Sequence, residues 1–305
     1  MEKTLTVCFL TEHFLSNNNY FSFISQEQFF NYFFPTKYKY NIIDKSENAD
    51  ITIVGVTDLE SDDDNLDTNS INILISVENC NKWTWYKHYN KYGNYGNEAI
   101  DIYYYNHIQS VEYTNKYVAI PTLHAYINYY NNFYNDHIIE NPIEFANKKF
   151  GLVINKSNLN MDIYNCITIL SEYNFDHISI YNNEILHKSC YHSMELLKVF
   201  NKYKFIICFE NSYNTGYVTE KIFNCFFAKT IPIYLGDPDI CKYINPESFI
   251  DARSNNWHER LKELNENEIL YNKAINANKF IETYNDENYK SLLETKIENK
   301  LNKNI

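Results

Sequence analysis

Arginine, glycine and proline are all scarce in this sequence of 305 residues. Arg253 and Arg260 are its only arginines, and glycine and proline occur six times each. Acidic residues outnumber basic ones by 39 to 27, which gives a formal net charge of −12. A nucleic-acid-binding surface needs a concentrated basic face, so nucleic acid is not expected as the main partner. A few lysines and backbone N–H groups still suffice to hold a small anion.

The cysteines indicate neither a disulfide framework nor a zinc site. The chain has an odd number of them, no two form a CxxC pair, and most lie in apolar runs. We interpret them as buried, reduced thiols. The seven are Cys8, Cys80, Cys166, Cys190, Cys208, Cys225 and Cys241.

Long apolar runs are also missing. No segment reaches the roughly 18 consecutive apolar residues that a membrane-spanning helix needs. The N-terminal MEKTLTVCFL has a short apolar run without a preceding basic region, which is typical of a strand rather than a signal peptide. We therefore expect a soluble protein without a signal peptide or membrane anchor, with the cytoplasm as its default location.

Apolar runs alternate with helix-compatible stretches through most of the chain, and this alternation predicts the fold class. Short continuous apolar runs between helices are typical of parallel sheets that are covered on both faces. Residues 25–34 show helical spacing after a Ser, which is typical of a capped helix start. The predicted strands of the first half are 5–10, 51–56, 71–77 and 117–121.

The length of the chain predicts two α/β domains, because single cores stop growing beyond about 250–300 residues. The polar, aromatic segment 126–149 is the linker candidate, and the strand–helix alternation restarts after it. We predict an N-terminal domain over 1–145, linker included, and a C-terminal domain over 146–305 with helices at its end. Ligands of open parallel sheets bind at the carboxyl ends of strands, so we expect the ligand in the cleft between the two domains.

The segment 209–238 is the most informative part of the sequence. The apolar run KFIICFEN ends at Glu210 and Asn211, which places both at the carboxyl end of a predicted strand. Gly216 permits a sharp turn. A helix is then predicted to begin near residues 218–219, and its free N–H groups and positive dipole end suit a phosphate.

Charged side chains cluster at this predicted helix start. Lys221 can neutralise a phosphate, and Glu220 can accept two hydrogen bonds from a ribose diol. Tyr217 lies four residues before Lys221, so the two share a face if the helix includes both. The same pattern also suits an ordinary capped helix with an exposed ion pair, and the spacing alone does not decide between the two.

Three short motifs in this segment resemble the donor-binding signature of the α1,3/4-fucosyltransferases. They are FENS at 209–212, YVTEK at 217–221 and IPIYLG at 231–236. The resemblance is strong over 196–252 and weak elsewhere. It implies the GT-B architecture, with two Rossmann-like domains that face a cleft. It also implies an inverting transfer of fucose from GDP-fucose to a glycan hydroxyl, in α1,3 linkage.

The resemblance further implies which residues hold the donor. By this carry-over Asn211, Tyr217, Glu220 and Lys221 contact it, with Glu220 on the ribose and Lys221 on the diphosphate. The family also places an arginine after the first strand of the C-terminal domain, but the corresponding segment here has none, and Lys156 is the nearest cation. A lysine neutralises a phosphate without offering the bidentate fork of arginine.

An inverting transfer needs one general base within reach of the attacking hydroxyl. The apolar run 71–77 is followed by Glu78, at the end of a predicted strand in the other domain. The family carries its base at this position, so the resemblance implies that Glu78 is the base. His107 and Glu112 are the alternatives, and a strand-end carboxylate that only caps the next turn is a third interpretation.

No metal or other cofactor is implied by the resemblance. The acidic loop that contains Asp62–Asp64 offers the paired carboxylates of a DxD-type metal site, but we interpret it as a solvated loop. The expected partners are GDP-fucose and a glycan acceptor. Two other functions remain open, a GT-B transferase with another nucleotide sugar and a non-catalytic nucleotide- or sugar-binding protein. The sequence does not fix the acceptor or the oligomeric state, and a homo-oligomer remains open.

Overall fold

The structure of this protein is a computed structural model with two parallel sheets. The residues it describes are 3–9, 25–44, 48–55, 66–67, 69–76, 100–105, 117–119, 127, 130, 138–155, 168, 173–179, 193–211, 213, 215–281 and 287–302.

The first sheet has six strands in the order β2-β1-β3-β4-β5-β6, and every neighbouring pair is parallel. Four of its strands confirm the predicted apolar runs to within a few residues at each end. The strands are β1 Lys3–Phe9, β2 Tyr38–Ile42, β3 Ile51–Gly55, β4 Ile71–Ser76, β5 Ile102–Tyr105 and β6 Tyr117–Ala119.

Strands β2 and β5 were not predicted, because tyrosine replaces the aliphatic residues that mark a buried strand. Aromatic side chains nevertheless fit a pleated, half-buried surface well. Tyr104 of β5 is fully buried, and its hydroxyl donates to the carbonyl of Phe33 at 2.6 Å. Tyr40 of β2 stacks on Phe30 with the ring centroids 4.5 Å apart.

The second sheet has five strands in the order β11-β10-β9-β7-β8, again with every neighbouring pair parallel. The two parallel sheets confirm the predicted α/β class. The strands are β7 Lys149–Asn155, β8 Phe175–Ser179, β9 Tyr203–Phe209, β10 Ile231–Leu235 and β11 Ile250–Asp251.

Six α-helices have bounds within the described part of the chain. The predicted capped helix is confirmed, because Ser25 and Gln28 form a reciprocal capping box at its start. The helices are α1 Gln26–Phe33, α2 Met194–Phe200, α3 Glu220–Phe227, α4 Trp257–Glu266, α5 Glu268–Asn276 and α6 Glu287–Leu301.

Asn267 separates helices α4 and α5. Its backbone leaves the helical region, and its side chain accepts hydrogen bonds from the N–H groups of Ile269 and Leu270, at 3.1 Å each. The chain therefore starts a new helix there, since an Asn cap satisfies N–H groups that a helix start leaves without partners.

The two faces of strand β9 pack against different helices. Phe205 and Ile207 join a core cluster with Leu261 of α4 and Tyr271 of α5. Side chains alternate between the faces of a strand, so Cys208 points the other way, toward α3; burial, followed by its neighbour Cys225 on that helix, raises the pKa of its thiol. Because of this alternation, α4 and α5 cover one face of β9 and α3 covers the other.

The chain divides into two compact units. Unit 1 comprises Met1–Ala125, Thr215–Tyr217 and Asn285–Ile305, and unit 2 comprises Tyr126–Asn214 and Val218–Tyr284. This division differs from the predicted boundary at 145 and, above all, in the last helix, which the sequence analysis assigned to the second domain.

Helix α6 belongs to unit 1 because its partners are there. It packs against β4 and β6. Lys37 forms ion pairs with Glu294, at 2.5 Å, and with Glu298. Lys300 of the same helix pairs with Asp101. The ion-pair partners Lys37 and Asp101 lie about 200 or more residues away in sequence, so the pattern of the helix alone does not reveal them.

None of the described helices is both long and apolar enough to cross a membrane.

A buried lysine closes the amino-terminal edge of the second sheet. The Lys148 ammonium donates to the carbonyls of Asn201 at 2.7 Å and Lys229 at 3.0 Å, next to the starts of β9 and β10. Its residue is 7% exposed, and burial lowers its pKa from 10.5 to about 8.

Replacing Lys148 by Met is expected to destabilise the protein, increasingly so at higher pH. The change leaves two buried carbonyls without a donor, which costs about 1–3 kcal/mol. Between pH 8 and 10.5 the folded wild type binds fewer protons than the unfolded chain, so its free energy of unfolding rises relative to the variant. Denaturant titrations at pH 7 and 9.5 measure this difference, with Lys149→Met as the exposed control. A difference in the free energy of unfolding between wild type and Lys148→Met that is the same or smaller at pH 9.5 would contradict this prediction.

Candidate functional site

Strand β9 and helix α3 meet at the carboxyl end of the second sheet, as predicted. The N–H of Glu210 donates to the carbonyl of Leu235 at 2.7 Å, which ties the end of β9 to the end of β10. Gly216 has φ 82°, the left-handed backbone that glycine adopts without strain. Thr219 is the N-cap residue of α3. The turn and helix thus bring Thr219 and Lys221 back to the end of the strand.

The Glu210 carboxylate is the centre of this junction. Its Oε1 accepts a hydrogen bond from the Thr219 N–H at 2.8 Å, and its Oε2 accepts one from the Thr219 hydroxyl at 2.7 Å. The same Oε2 receives the Lys221 ammonium at 2.6 Å. Lys221 also donates to the Thr219 hydroxyl oxygen at 3.0 Å. Three residues therefore form a closed network of four hydrogen bonds.

The burial of the two charges differs. The Glu210 side chain has no exposed surface, whereas 28% of the Lys221 side chain is exposed. Burial by itself lowers the pKa of Lys221, but the Glu210 and Glu220 carboxylates outweigh it and raise the pKa above its ordinary value. Lys221 is thus a cation with a buried counter-ion, Glu210, and a partly exposed side chain.

Gly236 permits the close packing of Glu210. A Cβ atom at this position would lie 2.2 Å from the Tyr234 hydroxyl oxygen and 2.6 Å from Cγ of Glu210. Tyr234 is fully buried; burial first, and the Glu210 charge second, raise the pKa of its hydroxyl. Gly236, the last residue of the IPIYLG motif, therefore leaves the space that the Glu210 side chain occupies.

Arg253 fixes the backbone that follows β10. Its guanidinium donates to the carbonyls of Gly236, at 2.7 Å, and of Asp237. It also lies 3.5 Å from the Asp251 carboxylate. One of the two arginines of the chain thus holds the loop that packs beside Glu210, and its side chain is 30% exposed.

The structure describes four of the six predicted site residues. Lys221 lies at the junction, Asn211 is exposed and Glu220 is half-buried at the first position of α3. Tyr217 is 1% exposed. Glu78 and Lys156 lie outside the described residues, as do the alternative bases His107 and Glu112 and the acidic loop with Asp62–Asp64.

The predicted helix start is corrected by one to two residues. Helix α3 begins at Glu220 rather than near 218–219, so Tyr217 precedes the helix. Tyr217 and Lys221 therefore do not share a helical face. Thr219 also differs from an ordinary capping residue, because its hydroxyl bonds to Glu210 and Lys221 and caps no helical N–H.

Sequence reasoning gave no role to Glu210, the residue on which the junction is centred. A signal was available, because a carboxylate directly after an apolar strand is buried and a buried charge requires a partner. The partner lies eleven residues further along the chain. Only the turn at Gly216 brings the two side chains together.

Residues 143–294 match the family described as "Glycosyltransferase family 10 (fucosyltransferase) C-term". These residues make up just under half of the chain, and they are similar to glycosyltransferase family 10. The match includes β7 to β11 and the Glu210 junction, and it confirms the resemblance that the three motifs indicated.

Two curated relatives show how local the similarity is. An α-(1,3)-fucosyltransferase of Helicobacter pylori is 52% identical over 52 residues, which are 17% of this chain and 11% of that protein. The human 4-galactosyl-N-acetylglucosaminide 3-alpha-L-fucosyltransferase 9 is 34% identical over 90 residues, 28% of this chain and 25% of that protein. The matched segments thus span a quarter or less of the length of each relative.

A solved structure of an α1,3-fucosyltransferase with GDP-fucose shares the fold. The TM-score is 0.61 at 16% sequence identity, and the likeness covers 98% of this chain and 92% of that one. This similarity confirms the predicted GT-B fold with its two parallel sheets.

Proposed function

We propose that this protein is an inverting fucosyltransferase that moves fucose from GDP-fucose to a glycan hydroxyl in α1,3 linkage. The carrying observation is the Glu210–Lys221 pair, a cation with a partly exposed side chain at the carboxyl end of β9, inside the region that matches family 10. Ligands of open parallel sheets bind at that end of the strands. The names of both relatives and the GDP-fucose in the similar structure support the donor and the reaction.

In the proposed reaction, Glu78 accepts the proton of the attacking acceptor hydroxyl. The acceptor oxygen forms a bond to the anomeric carbon, and the bond from that carbon to the diphosphate oxygen breaks. GDP leaves with the electron pair. A nucleoside diphosphate is a good leaving group, so it needs charge stabilisation more than a proton. Lys221 supplies that charge, with Lys156 as the second cation.

The remaining predicted residues orient the donor in this proposal. Glu220 binds the ribose hydroxyls, and Asn211 and Tyr217 complete the contacts with the nucleotide sugar. The N-terminal domain provides Glu78 and the acceptor side, and the C-terminal domain provides the donor side. The lack of an arginine after β7 favours one alternative, a transferase for another nucleotide sugar, because arginine is the residue suited to bidentate contact with phosphate.

A transfer assay tests this function. The protein is incubated with GDP-fucose or other nucleotide sugars and with the acceptor 4-galactosyl-N-acetylglucosaminide, taken from the name of the human relative. The expected result is a fucosylated product from GDP-fucose alone. Product from another donor supports the alternative, and binding without product supports a non-catalytic binding protein.

Turnover is expected to survive an excess of EDTA, because lysine side chains do the work that Mg²⁺ or Mn²⁺ does in DxD enzymes. The assay is repeated after dialysis against EDTA and again after addition of Mn²⁺. A loss of turnover that Mn²⁺ restores would contradict this expectation and implicate the Asp62–Asp64 loop.

A further inference from the structure

Glu210 is a puzzling residue at a site for a diphosphate. A carboxylate repels phosphate, and leaving a buried charge without a partner is strongly destabilising. Yet the Glu210 side chain is fully buried, and both of its oxygens are occupied by Thr219 and Lys221. Its charge is therefore directed at the start of α3.

The geometry around Lys221 suggests what this arrangement achieves. An ammonium has three N–H bonds, and two of them are directed to Glu210 and Thr219, at 2.6 and 3.0 Å. A flexible four-carbon side chain is thereby held in one position before any ligand arrives. Restricting a binding group in advance lowers the entropy that binding costs.

The other groups near Lys221 define the electrostatics of this position. Glu220, on α3 itself, and Cys208, on β9, both raise its pKa, but Glu210 contributes more than either. Tyr234 of β10 lies close enough to Glu210 that the carboxylate raises the pKa of its hydroxyl. Asp237 donates its backbone N–H to the same hydroxyl at 3.3 Å. Among the described residues, Glu210 is thus the main counter-ion of Lys221.

We propose that Glu210 is a positioning residue, whose buried carboxylate holds the Lys221 ammonium so that its remaining N–H binds the diphosphate of the donor. The diphosphate ligand in this proposal is taken from the proposed function. The position of Lys221 itself rests only on the network of Glu210, Thr219 and Lys221.

Glu210→Gln tests the proposal, because the amide keeps the size of the side chain and an acceptor for the Thr219 N–H. Its NH₂ group has no charge and faces the Lys221 ammonium as a second donor. We expect GDP affinity at pH 7 to fall about tenfold, the equivalent of one charge-assisted hydrogen bond. The loss should grow toward pH 9, because Lys221 loses its proton more readily beside a neutral amide.

Three further variants separate positioning from folding. Glu210→Asp keeps the charge and is expected to restore part of the GDP affinity and the wild-type pH profile. In a Lys221→Met background, adding Glu210→Gln should weaken GDP binding no further, since Glu210 acts through Lys221. Glu247→Gln removes an exposed carboxylate of the same unit, which lies 3.4 Å from Lys273, and should leave GDP binding unchanged.

The titration of Lys221 without any nucleotide makes the test independent of the donor. Lysine-selective NMR, with the signal assigned from Lys221→Arg, is expected to show the Lys221 pKa lower by at least about one unit in Glu210→Gln. An unchanged pKa, tighter GDP binding by Glu210→Gln, or an equal loss in the Lys221→Met background would each overturn the proposal. If the wild type binds no GDP, the proposed donor fails, while the NMR titration still decides the positioning.

Discussion

Glu78→Gln is expected to lower kcat by about 10²–10⁴-fold, the usual contribution of a general base. The amide keeps the size and most hydrogen bonds of the carboxylate but takes no proton at neutral pH. GDP binding should change little, because Asn211, Glu220 and Lys221 of the proposed donor site belong to the other unit. Initial rates at saturating donor and acceptor, with calorimetry of GDP binding, measure both quantities on one preparation.

Variants of the two alternative bases show whether the effect is specific to Glu78. Glu112→Gln and His107→Gln are the matched variants, and both should retain most of the turnover. If Glu78→Gln loses GDP binding as well as turnover, Glu78 is a structural cap rather than a base. If it keeps full activity while one of the other two variants loses it, the carry-over onto the strand end at Glu78 is wrong.

Lys221→Ala is expected to abolish most of the thermal stabilisation by GDP. A ligand at 100 times its Kd stabilises the folded wild type by about 2.7 kcal/mol. Removal of one charge-assisted contact costs about 1.5–3 kcal/mol, so Kd should rise roughly 10- to 100-fold. Thermal unfolding with and without GDP measures the loss.

The control must separate lost binding from lost stability, because Lys221→Ala also leaves the buried Glu210 without its counter-ion. The relevant quantity is therefore the shift that GDP causes in each variant, not the melting temperature itself. Lys262→Ala removes the same charge from an exposed position of α4 and should show the full shift. A full shift in Lys221→Ala would remove Lys221 from the donor site.

The position of the β9–α3 junction, where the candidate site lies, could be predicted because it depends on local sequence pattern. The apolar run before Glu210 marks a buried strand, and Gly216 marks the turn that follows it. Parallel sheets place their ligands at the carboxyl ends of strands whatever the details of packing. Spacing alone does not distinguish a phosphate site from an ordinary capped helix at this position. The FENS, YVTEK and IPIYLG motifs favour the phosphate site, because they resemble the donor-binding signature of a known family.

Strands β2 and β5 show where local pattern is insufficient. Their tyrosines do not form the aliphatic run that marks a buried strand. What makes them strands is the pairing with β1, β4 and β6 and the packing of rings such as Tyr104. Pairing and packing join residues that are far apart in sequence, and no local window contains both sides of such a contact.

The sequence by itself determined the α/β class and the strand end at which the candidate site lies, and its motifs indicated the family that residues 143–294 match. Only the tertiary structure decided that Glu210 is the counter-ion of Lys221, that Gly236 makes room for it, and that α6 packs with the first unit. The physical reason is the same in each case. Hydrophobic periodicity is a property of neighbouring residues in the sequence. The partner of a buried charge or of a helix face is instead brought into contact from a distant part of the sequence when the chain folds.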